Sequence, residues 1–157
     1  MLFDREVSAA IAHWGPHYGV RIDSSLVHGI IEAESGHGKH MVTVEPDGDI
    51  SRGPMMVKWA TAKTLGVTDP GSLLRPDVGI FYGVKYLAQL LRRFKGDSQR
   101  AAAAYNGSGP HARAYAVKVL AYAKRYAAVA VPVAALVALL ALVFLMPRRR
   151  AAASRGA

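Results

Sequence analysis

The chain has 157 residues, with 20 Lys and Arg against 11 Asp and Glu, and it contains no cysteine. That length sets one domain with room for an appendage, and the missing thiols exclude a disulfide framework, a thiol nucleophile and a cysteine metal site. All 11 acidic and 16 of the basic residues precede residue 127, so this part carries +5 and suits an anionic partner, while no aromatic-plus-basic motif speaks for nucleic acid. In chain order, Asp4 is placed to cap a first helix running to about Trp14, before the breaker "GPHYG". Asp23 caps a second from Ser24 to Ser35, stopped at Gly36. Residues 37–53 read as loop, with "VTV" a short strand, and a helix is expected from Pro54 to about Leu65. "LGVTDPGSLLRP" interrupts it, Asp77 to Phe94 follows as a long helix, and Ser98 opens another through the alanine run to Tyr105. "NGSGP" is a loop, and a last helix starts near His111. No internal repeat is present. The fold class is mainly α, several short helices around one core with a cleft between them.

From Ala127 to Met146, "AAVAVPVAALVALLALVFLM", no side chain is charged or polar. About 20 residues at roughly 1.5 Å rise match a hydrocarbon core of about 30 Å, and a helix in a small core rarely lacks a polar face. The expected organisation is therefore a domain at 1–126, a single transmembrane helix at 127–146 and a basic tail at 147–157. The tail carries Arg148, Arg149, Arg150 and Arg155. By the positive-inside rule it faces the cytoplasm, which puts residues 1–126 on the outer face of the membrane. The N-terminal stretch has early acidic residues and no apolar h-region, so it does not read as a signal peptide.

The stretch "GIIEAESGHGKH" carries the chemistry. On a wheel at roughly 100° per residue, Leu26, Val27, Ile30, Ile31 and Ala33 share one side. Glu34 falls inside that sector and Glu32 almost opposite, so Glu32 is expected to face solvent. Burial favours the neutral form of a carboxyl. Glu34 therefore reads either as a residue paired with an arginine or a helix end, or as a general acid held protonated at the edge of a cleft. An acid of that kind protonates the leaving oxygen in glycosidic cleavage. If a second carboxylate takes part, the candidates are Glu45, Asp47 and Asp49.

"IIEAESG" resembles the signature around the catalytic glutamate of the soluble lytic transglycosylase family, which has a lysozyme-like fold. "DGDISRGPMM", "DVGIFYGVKYLAQLLRRF" with its Gly83-to-Leu87 element, "AAAAYNGSGP" and "YAVKVLAYAKRY" resemble further family blocks, in order and at similar spacing. The likeness runs over residues 3 to 126. It implies Glu34 as the single catalytic acid/base, with Ser51, Gly53, Met55, Tyr105 and Asn106 as substrate-binding residues. Pro54 and Met56 stand where the family carries leucine and glutamine, which removes an amide donor and acceptor from the loop that meets the sugar.

The reaction implied is cleavage of the β-1,4 bond between N-acetylmuramic acid and N-acetylglucosamine, leaving a 1,6-anhydro ring. The partners expected are peptidoglycan strands and, through 127–146, a lipid membrane, in a bacterial envelope or on a phage product that opens the wall locally. His37 and His40 lie near Glu34 in sequence, but without an HExxH pattern no metal is expected, nor any cofactor. Two other functions fit the same residues. One is a lysozyme-type hydrolase using a loop carboxylate, and the other is a non-catalytic protein that binds wall or perturbs membrane.

Overall fold

The computed structural model describes the backbone of residues 1–145 and the side chains of 1–128. Helix α1 spans Asp4–Tyr18. It does not stop at Gly15-Pro16 as the breaker suggested. Trp14 is buried there and its indole N–H donates to Phe81 O at 2.9 Å, which fastens the last turns despite the N–H that Pro16 lacks. The helix ends instead at Gly19, whose φ of 63° turns the chain back. Asp4 is not its N-cap; it lies in the first turn and accepts from the chain's terminal ammonium and from His28 Nε2 at 3.0 Å.

Helix α2, Ser24–Ser35, has the expected caps. Asp23 accepts from the Ser25 N–H and hydroxyl, each at 2.9 Å. At the other end Gly36 adopts φ 58° and its N–H returns to Glu32 O at 3.1 Å. The helix buries Leu26, Val27, Ile30 and Ile31. Full burial of such side chains stabilises by about 1.5–3 kcal/mol each. Gly29 is where α2 crosses the last helix. A Cβ there would stand 2.6 Å from Val119 O and 3.1 Å from Ala123 N, so no larger residue permits this approach.

Residues 37–58 are more ordered than a loop. Strands β1 (Val42–Val44), β2 (Ile50–Arg52) and β3 (Val57–Lys58) form an antiparallel sheet in that order. Thr43 and Lys58 both pair with Ser51 on the central strand. The helix expected from Pro54 is correspondingly shorter: α3 covers Trp59–Thr64 only. Gly53 (φ 84°) and Met56 (φ 46°) form a turn closed by Met56 N–H to Gly53 O at 3.0 Å, and helix begins only where Asp49 Oδ2 accepts from the Ala60 N–H at 3.1 Å.

A 3-10 turn at Pro70–Leu74 leads into α4, Pro76–Arg93. Its buried face, Ile80, Gly83, Val84, Leu87, Ala88 and Leu91, follows helical spacing and meets α1 and α5, Ser98–Asn106. Helix α6 spans Gly109–Leu145, and within it Ala112, Ala116, Val119 and Ala123 are buried. Residues 1–126 form one unit and 127–157 a second. Among the described residues no helix is long and apolar enough to cross a membrane. The expected membrane segment at 127–146 lies almost wholly beyond the residues whose side chains are described, and its backbone is helical up to Leu145.

Candidate active site

A cleft of about 320 Å³ opens between the sheet and the ends of α2 and α5. It is lined by Glu34, Glu45, Ser51, Met56, Tyr105 and Asn106, with Lys58, Thr61 and Tyr86 at its sides. Glu34 reaches it from the last turn of α2, which is anchored by Ser35. That hydroxyl, 1% exposed, donates to Pro54 O at 2.8 Å and accepts from the Gly38 N–H at 2.8 Å. The strand-turn segment is thereby tied to the helix that carries the acid.

The Glu34 carboxyl accepts a hydrogen bond from the Tyr115 hydroxyl at 2.5 Å. Burial raises its pKa from 4.5 to about 7, and the negative charge of Glu45 adds to the rise. The Tyr115 bond and the Lys118 ammonium act in the opposite sense. Near neutral pH the group therefore populates both protonated and ionised forms, as one side chain that gives and then takes a proton must. Burial, with Glu34 beside it, raises Tyr115 well above its ordinary value, so it stays a donor.

The residues expected to meet substrate divide. Ser51, Tyr105 and Asn106 line the cleft together with Glu34, whereas Gly53 and Met55 do not. Met55 is 0% exposed and packs on Gly83, where a Cβ would lie 2.5 Å from its sulfur. Its carbonyl accepts from the Tyr105 hydroxyl at 2.9 Å, so it holds a cleft residue in place from behind. Gly53 is pressed on the Leu73 carbonyl, 2.2 Å from where a Cβ would be. Met56 lines the cleft with a thioether in place of an amide.

Of the loop acids, Asp47 pairs with Lys58 at 3.0 Å and Asp49 caps α3, so neither lines the cleft, while Glu45 does. Glu32 is not a free surface charge. It is half-buried, bonded to the His37 ring at 2.9 Å, and it accepts from the Tyr126 hydroxyl at 3.2 Å. His37 is occupied there and stacks on His28. Sequence reasoning missed Ser35, Tyr115 and Lys118. A signal for Tyr115 existed, because it sits one residue from Ala116 in the buried stripe of α6.

The model of the transglycosylase SLT domain family matches residues 15–126. The chain belongs to this family. The SLT domain so defined contains every cleft residue named above, from Glu34 to Asn106, together with Tyr115. Its fold is also similar to the crystal structure of an inactive mutant of the lytic transglycosylase Slt from Pseudomonas aeruginosa, with TM-score 0.57 and 23% identity over 77% of this chain and 24% of that one. The chain spans about a quarter of the length of that protein. The mainly helical, lysozyme-like fold expected from the sequence is the one observed.

Proposed function

We propose that this SLT domain is a peptidoglycan lytic transglycosylase in which Glu34 alone performs both proton transfers. The observation that carries the reading is a cleft-lining carboxyl whose pKa is raised to about 7 by burial, held by a tyrosine hydroxyl. Protonated Glu34 gives its proton to the oxygen linking N-acetylmuramic acid to N-acetylglucosamine. That oxygen leaves with the bonding pair. The Glu34 carboxylate then takes the proton of the muramic C6 hydroxyl, whose oxygen bonds to C1. The ring closes as a 1,6-anhydro sugar and no water is consumed. Between turnovers the buried carboxyl ends protonated, ready for the next bond.

Ser51, Tyr105 and Asn106 are proposed to form the glycan-facing wall, with Met55 and Gly53 supporting it. The apolar run at 127–146 is proposed to anchor the chain in a membrane with the domain towards the wall, confining cleavage to nearby strands. Mass spectrometry of muropeptides released by the purified chain tests the chemistry. The expected products are one water lighter than hydrolytic ones and absent with Glu34→Gln, and reducing-end products instead would refute it. Flotation of the chain with lipid vesicles, lost on removing 127–157, tests the anchor.

A further inference from the structure

Two carboxylates line the cleft, and the proposed reaction uses one of them. Glu45 sits in the tight turn that joins β1 to β2. Its N–H donates to Asp49 O at 2.8 Å, and its carbonyl accepts from the Gly48 N–H at 2.9 Å. The Ser51 hydroxyl, on the central strand and 3% exposed, donates to its side chain. Among the described residues that is the only partner of the Glu45 carboxylate, and it has no ion pair. The acids beside it are engaged elsewhere, Asp47 by Lys58 and Asp49 by the start of α3. A carboxylate held by a buried hydroxyl, with no cation bonded to it and lining the cleft that holds the acid, is more than turn chemistry requires.

We propose that Glu45 is a second functional carboxylate, a fixed negative charge that stabilises the positive charge on the sugar as the glycosidic bond breaks. The inference rests on the reading of Glu34 given above. When the leaving oxygen departs with the bonding pair and the Glu34 proton, C1 and the ring oxygen share a positive charge. A preorganised anion in a partly dry cleft stabilises that charge without reorganising at the moment of reaction. Glu45 exchanges no proton and forms no bond, so the atom balance of the reaction is unchanged.

The same charge favours the protonated form of Glu34, so Glu45 helps the acid before the bond breaks and the cation afterwards. The other titratable groups facing this space do not supply an anion. Lys58 on β3 is held by Asp47, and Tyr86, Tyr105 and Tyr115 from α4, α5 and α6 are raised by burial and stay neutral. Lys118 on α6 acts against the proton on Glu34.

The test compares the full chain with Glu34→Gln, Glu45→Gln, Glu45→Asp and Ser51→Ala on purified peptidoglycan, reading initial rates across pH and product masses. Glu45→Gln is expected to lower kcat about 10- to 100-fold with KM nearly unchanged, as removal of one preorganised group does. It should keep anhydro products and move the basic limb of the pH profile downward, and Glu45→Asp should recover part of the rate. A Glu45→Gln enzyme within twofold of wild type, with an unmoved limb, overturns the proposal. So do hydrolytic wild-type products that vanish in Glu45→Gln, which would make Glu45 a base for water. Activity retained in Glu34→Gln refutes the underlying reading instead, and the proposal falls with it. Ser51→Ala, which alters the glycan-facing wall as well as the hold on Glu45, is expected to lower kcat and raise KM together. Should Glu45→Gln fail to fold, Glu45→Asp decides: it keeps the charge but shortens its reach, and a several-fold fall in kcat at nearly constant KM is required.

Discussion

Replacing Glu34 by glutamine should stabilise the protein, and by an amount that grows with pH. The folded-state pKa of about 7 lies above the ordinary 4.5, so the unfolded chain releases this proton first. Stability is then lost as pH rises from about 4.5 to about 7. Glutamine is close in shape, can still accept from Tyr115, and has no proton to lose. At about 1.4 kcal/mol for each pH unit separating the two pKa values, the variant should gain only a few tenths of a kcal/mol at pH 4. At pH 5 the gain should be about 0.8 kcal/mol, and at pH 7 and above about 3 kcal/mol. At roughly 4 °C per kcal/mol for a domain of this size, the neutral-pH variant melts about 10 °C higher. Urea unfolding of both proteins between pH 4 and 8 reads the difference directly, since titrations elsewhere cancel. A difference that stays flat over that range would refute the assignment of Glu34 as a buried carboxyl with a raised pKa.

Tyr115→Phe removes a hydrogen bond that favours the carboxylate, so the basic limb of kcat/KM should move up by roughly one pH unit while kcat falls as the carboxyl loses its orientation. Gly83→Ala drives a Cβ into Met55, 2.5 Å from its sulfur and 2.6 Å from its Cβ; thermal unfolding should show a loss of about 1–3 kcal/mol. Burial lowers the pKa of His28, whose Nδ1 has no partner among the described residues. The unfolded chain therefore binds that proton first, and stability should fall as pH drops below 6.5, a loss that His28→Leu removes in acid unfolding curves.

Glu34 was legible because an α-helical wheel converts spacing into direction, and α2 keeps regular geometry from Asp23 to Gly36. Tyr105 was legible as part of a motif, but its task was not, because the hydrogen bond to Met55 O joins residues far apart in sequence. The α3 boundary was hidden for a similar reason. Its first turn is capped by Asp49 from a preceding hairpin, so no local signal separates Pro54 from Trp59. Helix α1 passes Gly15-Pro16 because Trp14 is tied to α4, where tertiary packing overrides a local breaker. Glu32 misled because the wheel shows where a side chain starts, not that His37 and Tyr126 fold over it.

The contact at Gly29 places α2 and α6 backbone against backbone, with Glu34 little more than a turn beyond it and Tyr115 one turn before Val119 on the other helix. The acidity of Glu34 is thus calibrated by a spacing between two helices, at a point outside the cleft. A change at a cleft-lining side chain such as Met56 would alter what the cleft can hold while leaving that spacing as it is. A substitution at Gly29, outside the cleft, would do the reverse.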